Sequence, residues 1–258
     1  MKEMKKMYSN YHTHTYHCRH ASGTPKQYAE QAVKNNLKIL GFSDHNPCRF
    51  KNGFVSGYRM DISETEIYVN EIKELRKTYC DKIKILIGYE AEYYPDEFNS
   101  MLNNIEKYGY DYLILGQHFT YNEYDGYYVG VPCDAEILRK YVNQTIEGMK
   151  TGLFAYLAHP DLVNYTDNSE IYKREMSRLC EAALLLDIPL EFNLLGFKEH
   201  RNYPYGEFWK IAADAGNSVI IGCDAHTAED VGNPDIYNSA LKHLSQYGIK
   251  PIKELKIL

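Results

Sequence analysis

The sequence predicts an α/β protein built on one parallel sheet of seven strands. Three observations lead there. Short β-prone runs alternate seven times with segments of helical apolar spacing, the pattern of parallel strands joined by crossover helices. The β-prone runs are short and apolar, as strands covered on both faces are. Polar residues able to bind metal recur at the carboxyl ends of these runs, where α/β sheets gather their sites. A closed barrel and an open doubly wound sheet both satisfy this pattern.

In chain order, the first strand is expected at Tyr8–His12. Pro25 opens a helix to Asn36 that sets Tyr28, Ala29, Ala32 and Val33 on one face. The second strand is Ile39–Asp44. Ser63 and Glu66 have the spacing of a capping box, followed by Tyr68, Ile72, Leu75 and Tyr79 at helical intervals. The third strand, Lys84–Glu92, leads through a helix at Glu97–Lys107 to the fourth, Tyr112–His118. A long Tyr- and Gly-rich loop, Thr120–Cys133, precedes a helix that Asp134 can cap. The fifth strand is Leu153–His159, the next helix Ser169–Leu186, and the sixth strand Pro189–Asn193. A helix at Tyr205–Ala215 is closed by Gly216, the seventh strand is Ser218–Asp224, and a last helix runs Asp235–Tyr247.

The 258 residues are 44% hydrophobic and 25% charged, ordinary for a globular protein with a substantial core. No repeat, low-complexity tract or linker divides them, so residues 1–258 are expected to form a single domain. The net charge of -6 argues against nucleic acid or an anionic membrane as the main partner. It leaves room for a small anion, because bound cations invert the local field. No secretory signal or membrane-length apolar run is visible, and the expected location is the cytoplasm. The six cysteines show no paired short spacing and read as free thiols; Cys18 and Cys223, beside candidate ligands, are the two with a possible reactive or metal-contacting role.

The stretch Tyr11–His20 holds four of the ten histidines. His12 and His14, two apart, point to one side of an extended strand. Asp44 and His45 follow the second strand, Glu90 and Glu92 end the third, Gln117 and His118 the fourth, His159 and Asp161 the fifth, and Asp224 and His226 the seventh. The sixth lacks such a tip and offers Glu191 and Asn193 instead. One histidine after a strand is ordinarily structural. Seven of ten along one rim (His12, His14, His20, His45, His118, His159 and His226) are not a chance scatter. Together with the carboxylates they exceed one tetrahedral site and suit two or three ions around a bridging carboxylate. Such centres serve in-line displacement at phosphorus.

These residues form a recognisable series. His12-Thr13-His14, His20, Ser43-Asp44-His45, Gly88-Tyr89-Glu90, Gly116-Gln117-His118, Ala158-His159-Pro160 and Gly222-Cys223-Asp224-Ala225-His226 resemble, in order, the motifs of the PHP (polymerase and histidinol phosphatase) superfamily. The stretches Cys18–Gly23 and Gly41–Pro47 are most similar to its monofunctional histidinol-phosphatase branch. The resemblance implies a distorted (β/α)7, TIM-like barrel with a trinuclear centre of Zn, Mn or Fe at the strand ends. It implies one ion on His12, His14, Glu90 and Asp224, a second on Glu90, His118 and His159, and a third on His20, His45 and His226. Glu90 matches the bridging position, with Glu92 as the alternative. His17 has no counterpart. At the sixth strand the pattern departs: Glu191-Phe192-Asn193-Leu194-Leu195-Gly196-Phe197 lacks the arginine often seen there, and Arg201 follows nearby.

The expected reaction is hydrolysis of L-histidinol phosphate by in-line attack of a metal-bridging hydroxide, in histidine biosynthesis. The expected partners are that small phosphorylated substrate and inorganic phosphate. Arg201 is the candidate phosphate grip, with Arg19 and Arg49 behind it, and Asp161 a candidate proton donor. Asp161, Arg201 and His226 form the candidate catalytic set. Tyr93, Tyr121 and Tyr128 are candidates to line the pocket. The alternatives are another small phosphoester or nucleotide as substrate, a non-catalytic metal-binding accessory module, and metal-dependent amide hydrolysis.

Overall fold

The computed structural model describes residues 4–257. Its seven strands are β1 (Ser9–Asn10), β2 (Ile39–Phe42), β3 (Lys84–Ala91), β4 (Tyr112–Leu115), β5 (Phe154–Leu157), β6 (Leu190–Asn193) and β7 (Val219–Gly222). They lie in sequential order, each parallel to the next. Sequential parallel order curls a sheet around one axis, whereas a doubly wound sheet reverses direction midway. The first and last strands meet beyond their ends. Thr13 bridges Ala225, the His14 amide donates to the Ala225 carbonyl at 2.9 Å, and Asn10 Oδ1 accepts the Cys223 amide at 2.8 Å. The barrel is therefore nearly closed, and the closure falls at the first histidine pair.

The helices are α1 (Pro25–Lys34), α2 (Thr65–Thr78), α3 (Phe98–Glu106), α4 (Ala135–Lys150), α5 (Ser169–Leu185), α6 (Leu194–Glu199), α7 (Gly206–Ala215) and α8 (Pro234–Ser245). Each long helix is amphipathic and buries one stripe; in α4 it includes Leu138, Tyr141, Val142 and Met149. Asp134 caps α4 through the Glu136 and Ile137 amides, and Gly216 ends α7 in the left-handed conformation at φ 79°. Between strands and helices lies the larger apolar layer, and a smaller one fills the barrel itself. There Tyr112 stands in the middle, its hydroxyl donating to the carbonyls of Tyr11 (2.7 Å) and Phe42 (3.1 Å). Gly41 and Gly88 make room for its ring: a Cβ at either position would overlap it. This plug closes the lower barrel and leaves the carboxyl ends of the strands as the place for a site.

Three details depart from the sequence expectations. The capping box before α2 is Asp61 with Glu64, not Ser63 with Glu66, because a turn of 3-10 helix precedes the α-helix. The strands end two or three residues early at β1, β2, β4, β5 and β7, since the polar tips leave the ladder to turn inward. The short α6 was not expected; Asn193 caps it through the Gly196 amide at 2.9 Å. All six cysteines are free. Among the described residues, no helix is long and apolar enough to cross a membrane.

Candidate metal centre

His12 and His14 follow β1 in extended backbone, and both side chains turn into the top of the barrel. Thr13 between them is held outward by the Ser43 hydroxyl and the Asn10 amide. The two Nε2 atoms lie 3.1 Å apart. Glu90 Oε2 is 3.4 Å from His12 Nε2 and 3.3 Å from His14 Nε2. Asp224 Oδ1 is 3.5 and 3.3 Å from the same two atoms. Four donors about 2.1 Å from one ion in tetrahedral array stand about 3.4 Å from each other. The spacing in this cluster matches that value. We call this group, all buried, the floor of the site.

Glu90 has a second oxygen, and it faces the other way. His159 Nε2 lies 2.8 Å and His118 Nε2 3.5 Å from Glu90 Oε1. Gly116 makes this possible, because a Cβ there would overlap the Glu90 carboxylate. The outer part of the site, its rim, is a histidine pair on loops: His20 Nε2 and His226 Nε2 are 2.8 Å apart. His45 stands between the groups. Its Nδ1 is 3.2 Å from Glu90 Oε2, and its ring centroid is 5.3 Å from those of both His20 and His118.

The hydrogen bonds on the far side of each ring test whether these donors fit metal. His12 Nδ1 meets Glu191 at 2.8 Å and His118 Nδ1 meets Glu92 at 3.0 Å. His20 Nδ1 donates to the Cys18 carbonyl at 2.8 Å and His226 Nδ1 to the Asp224 carbonyl at 3.0 Å. Each acceptor holds a proton on Nδ1 and leaves Nε2, aimed inward, as the nitrogen a metal would take, the arrangement metal-ligating histidines adopt. The His20–His226 contact thus brings two lone pairs together, which only a proton or a metal cation can join. Nδ1 of His14, His45 and His159 is buried without a hydrogen-bond partner. The donor set fits.

The local electrostatics follow. Burial would raise the carboxyls of Glu90 and Asp224, but the surrounding imidazoles outweigh it and hold both well below the usual carboxylate range. Burial would lower His12, but Glu191, Asp224 and Glu90 outweigh it and push His12 up to about 10. On the rim the balance reverses: burial, aided by His14, pushes His226 down to about 3.

A cavity of about 610 Å³ opens above the centre. His14, His20, His45, Glu90, His118, Asp224 and His226 form its base, and Tyr58, Phe119, Tyr128, Leu162, Leu195, Glu199, Arg201 and Tyr203 its walls. Arg201 thus lies on the cavity wall, held by Glu199 at 2.7 Å and by the Tyr203 hydroxyl at 3.1 Å. Other expectations shift. Asp161 does not line the cavity: its Oδ2 accepts the Tyr205 amide (2.6 Å) and the Trp209 indole (3.0 Å), so it anchors the start of α7. Arg19 pairs with Glu64, and with Arg49 it lines a separate surface groove. Of the three tyrosines only Tyr128 reaches the cavity; Tyr93 packs on Phe98 and Tyr121 is exposed. His17 stands apart, bound to Glu71 at 3.0 Å. Cys223 packs against Met7, and Cys18 Sγ donates to the Thr15 carbonyl.

Two contributors escaped sequence reasoning. Arg59 is buried beneath the site, paired with Glu92 and with Glu123 and bonded to Asn46. Nothing in its loop marks it. Tyr58, beside it, sets its ring edge-on to His45 at 4.8 Å. An Arg next to a Tyr in a loop carries no periodic signal, and only the fold brings them to Glu92.

Comparison with known proteins agrees with this architecture. The PHP domain model matches residues 10–193. A histidinol-phosphatase of Bacillus subtilis is 28% identical over 255 residues, covering 86% of this chain and 94% of its own. A probable histidinol-phosphatase of Deinococcus radiodurans is 25% identical over 236 residues, covering 86% and 87%. The structure of histidinol phosphate phosphatase from Lactococcus lactis, complexed with zinc, L-histidinol and phosphate, superimposes with a TM-score of 0.71. It is 19% identical, and the match covers 97% of this chain and 96% of that one. With the matched model spanning most of the barrel and every motif residue from His12 to His159 inside it, the chain belongs to the PHP domain family.

Proposed function

We propose that residues 1–258 form one metal-dependent phosphomonoesterase that hydrolyses L-histidinol phosphate to L-histidinol and phosphate. The observation that carries the reading is the convergence of seven imidazoles, Glu90 and Asp224 in one cluster, with five of the imidazoles at the base of a cavity that has an arginine on its wall. The names of the Bacillus and Deinococcus relatives point to the same substrate. His12, His14, Glu90 and Asp224 would hold a first ion. Glu90, His118 and His159 would hold a second, and His20, His45 and His226 a third. Mixed imidazole and carboxylate donors suit Zn, Mn and Fe. When bound there, divalent ions would supply acidified water and a pull on the phosphoryl oxygens.

The chain's own groups do the rest. Arg201, fixed by Glu199 and Tyr203, presents its fork to the phosphate, a bidentate contact. Tyr58, Phe119, Tyr128 and Tyr203 give the cavity aromatic walls for the imidazole of the substrate. His226, whose one proton sits on Nδ1 against the Asp224 carbonyl, presents Nε2 to the site as a ligand. Asp161, which does not line the cavity, positions α7 through the Tyr205 amide and the Trp209 indole. Purified protein loaded with Zn, Mn or Fe is expected to release phosphate from histidinol phosphate faster than from nucleotides or sugar phosphates. Faster turnover of another phosphoester would overturn the substrate, and metal-independent turnover the whole mechanism.

A further inference from the structure

The sixth strand brings no ligand to the centre, yet two of its residues bond to three of the ligands, His12, His159 and Asp224. Glu191 is fully buried. Its Oε1 accepts from His12 Nδ1 (2.8 Å) and the Tyr156 hydroxyl (3.3 Å). Its Oε2 accepts from the His159 amide (3.0 Å) and Asn193 Nδ2 (2.9 Å). Asn193 Nδ2 also donates to Asp224 Oδ2 at 3.0 Å, while its Oδ1 accepts the Gly196 amide. The two residues just past the neighbouring strands that this pair holds, His159 and Asp224, are both in left-handed backbone, at φ 28° and 48°. Such backbone persists in residues other than glycine only when neighbours impose it. Gly222 admits the carboxylate, since a Cβ there would overlap it. No arginine or lysine pairs with Glu191 among the described residues, so its charge is balanced only through His12. A buried carboxylate of that kind depends on a cation beyond the imidazole.

We infer that Glu191 is a positioning residue that selects the Nε2-ligating tautomer of His12 and, with Asn193, fixes the strained backbone of His159 and Asp224. The inference rests on the metal-centre reading above. Its chemistry is specific because all four partners of Glu191 donate. A glutamine of the same shape offers one acceptor and one NH2 group. The His159 amide cannot change role, and Asn193 is locked by Asp224 and Gly196. The glutamine oxygen must therefore face that side, and its NH2 group faces His12. His12 answers only by carrying its proton on Nε2, where it points at Glu90 and Asp224 and no longer binds an ion.

The test uses full-length protein with 15N-labelled histidine, loaded with zinc. In the unsubstituted protein, His12 is expected to show a protonated Nδ1 and a zinc-bound Nε2. A zinc-bound Nδ1 overturns the proposal without any variant. In E191Q the His12 signal is expected to switch to protonated Nε2, and the tightest zinc to bind about 10- to 100-fold more weakly. Unchanged affinity with an unchanged His12 signal overturns the assignment of Glu191 and leaves the metal centre standing. Failure of the unsubstituted protein to bind zinc, manganese or iron instead sinks the metal-centre reading, and this inference with it. E92Q serves as the control: it is expected to perturb His118 and leave the His12 tautomer alone.

Discussion

The floor and the rim of the centre use the same side chain and are built in opposite ways. On the floor, His12 is oriented by Glu191, a residue 179 positions away. On the rim, His20 and His226 are oriented by the carbonyls of Cys18 and Asp224, each two positions before the histidine it holds. The floor is closed off, with His12 and His14 at 0% exposure, while the His226 side chain is 20% exposed. Their electrostatics differ in the same sense: carboxylates dominate around His12 and burial dominates around His226. A ligand set by its own loop tolerates change elsewhere in the chain. A ligand set across the barrel does not, and it gains rigidity from that dependence.

Glu90 belongs to the floor through one oxygen and to His118 and His159 through the other. Glu90→Gln should therefore have the largest effect, lowering phosphatase activity about a thousandfold or more. Metal analysis should show ions lost from both sets; loss of one ion alone would mean Glu90 is not the bridge. Next is Arg59→Met, which strips the cation from Glu92 and Glu123. Leaving buried charge unpaired costs about 3–5 kcal/mol, to be read from urea unfolding. A cost below about 1 kcal/mol would show the pair to be solvated.

The comparison itself can be broken with imidazole. His20→Gly on the exposed rim should lose about 10- to 100-fold in activity and regain part of it with added imidazole. His12→Gly on the closed floor should not be rescued. Rescue of both, followed by rate assays, would erase the distinction. A pH series sharpens it. With its pKa raised to about 10, His12 is protonated at neutral pH in metal-free protein, so filling the floor must expel that proton. His226, lowered to about 3, has none to lose. Floor affinity should thus rise with pH between about 6 and 8, with proton release seen by calorimetry in buffers of different ionisation heat. The smallest effect is expected from Asp134→Ala, which removes the α4 cap far from both regions. It should lower stability by about 1 kcal/mol and leave metal content unchanged.

Much of this was legible along the chain. The alternation of runs carried the sheet, and the residue types at the strand tips carried the donors. The expected strands ran too long for an instructive reason. His159 and Asp224 look like the last residues of strands, but both turn into left-handed backbone to face the centre. β-propensity extends through a tip that function has bent. Asp161 shows the limit of local spacing for a related reason. A carboxylate two residues after a ligand reads as chemistry, while its real partners, the Tyr205 amide and the Trp209 indole, lie 44 and 48 residues on.

The line between sequence and tertiary structure falls where contacts stop being local. Spacing of two, a carbonyl two residues back, a cap on the next turn: these are settled within a few residues, so His12 with His14, the His20 and His226 tautomers and the Asp134 cap belong to the chain alone. The brace of Glu191 on His12, the Arg59–Glu92–His118 line and the room that Gly116 and Gly222 leave for carboxylates need strands from distant parts of the chain to close into a barrel. Side-chain pairing across such distances has no period and no fixed offset, and it exists only once the seventh strand meets the first.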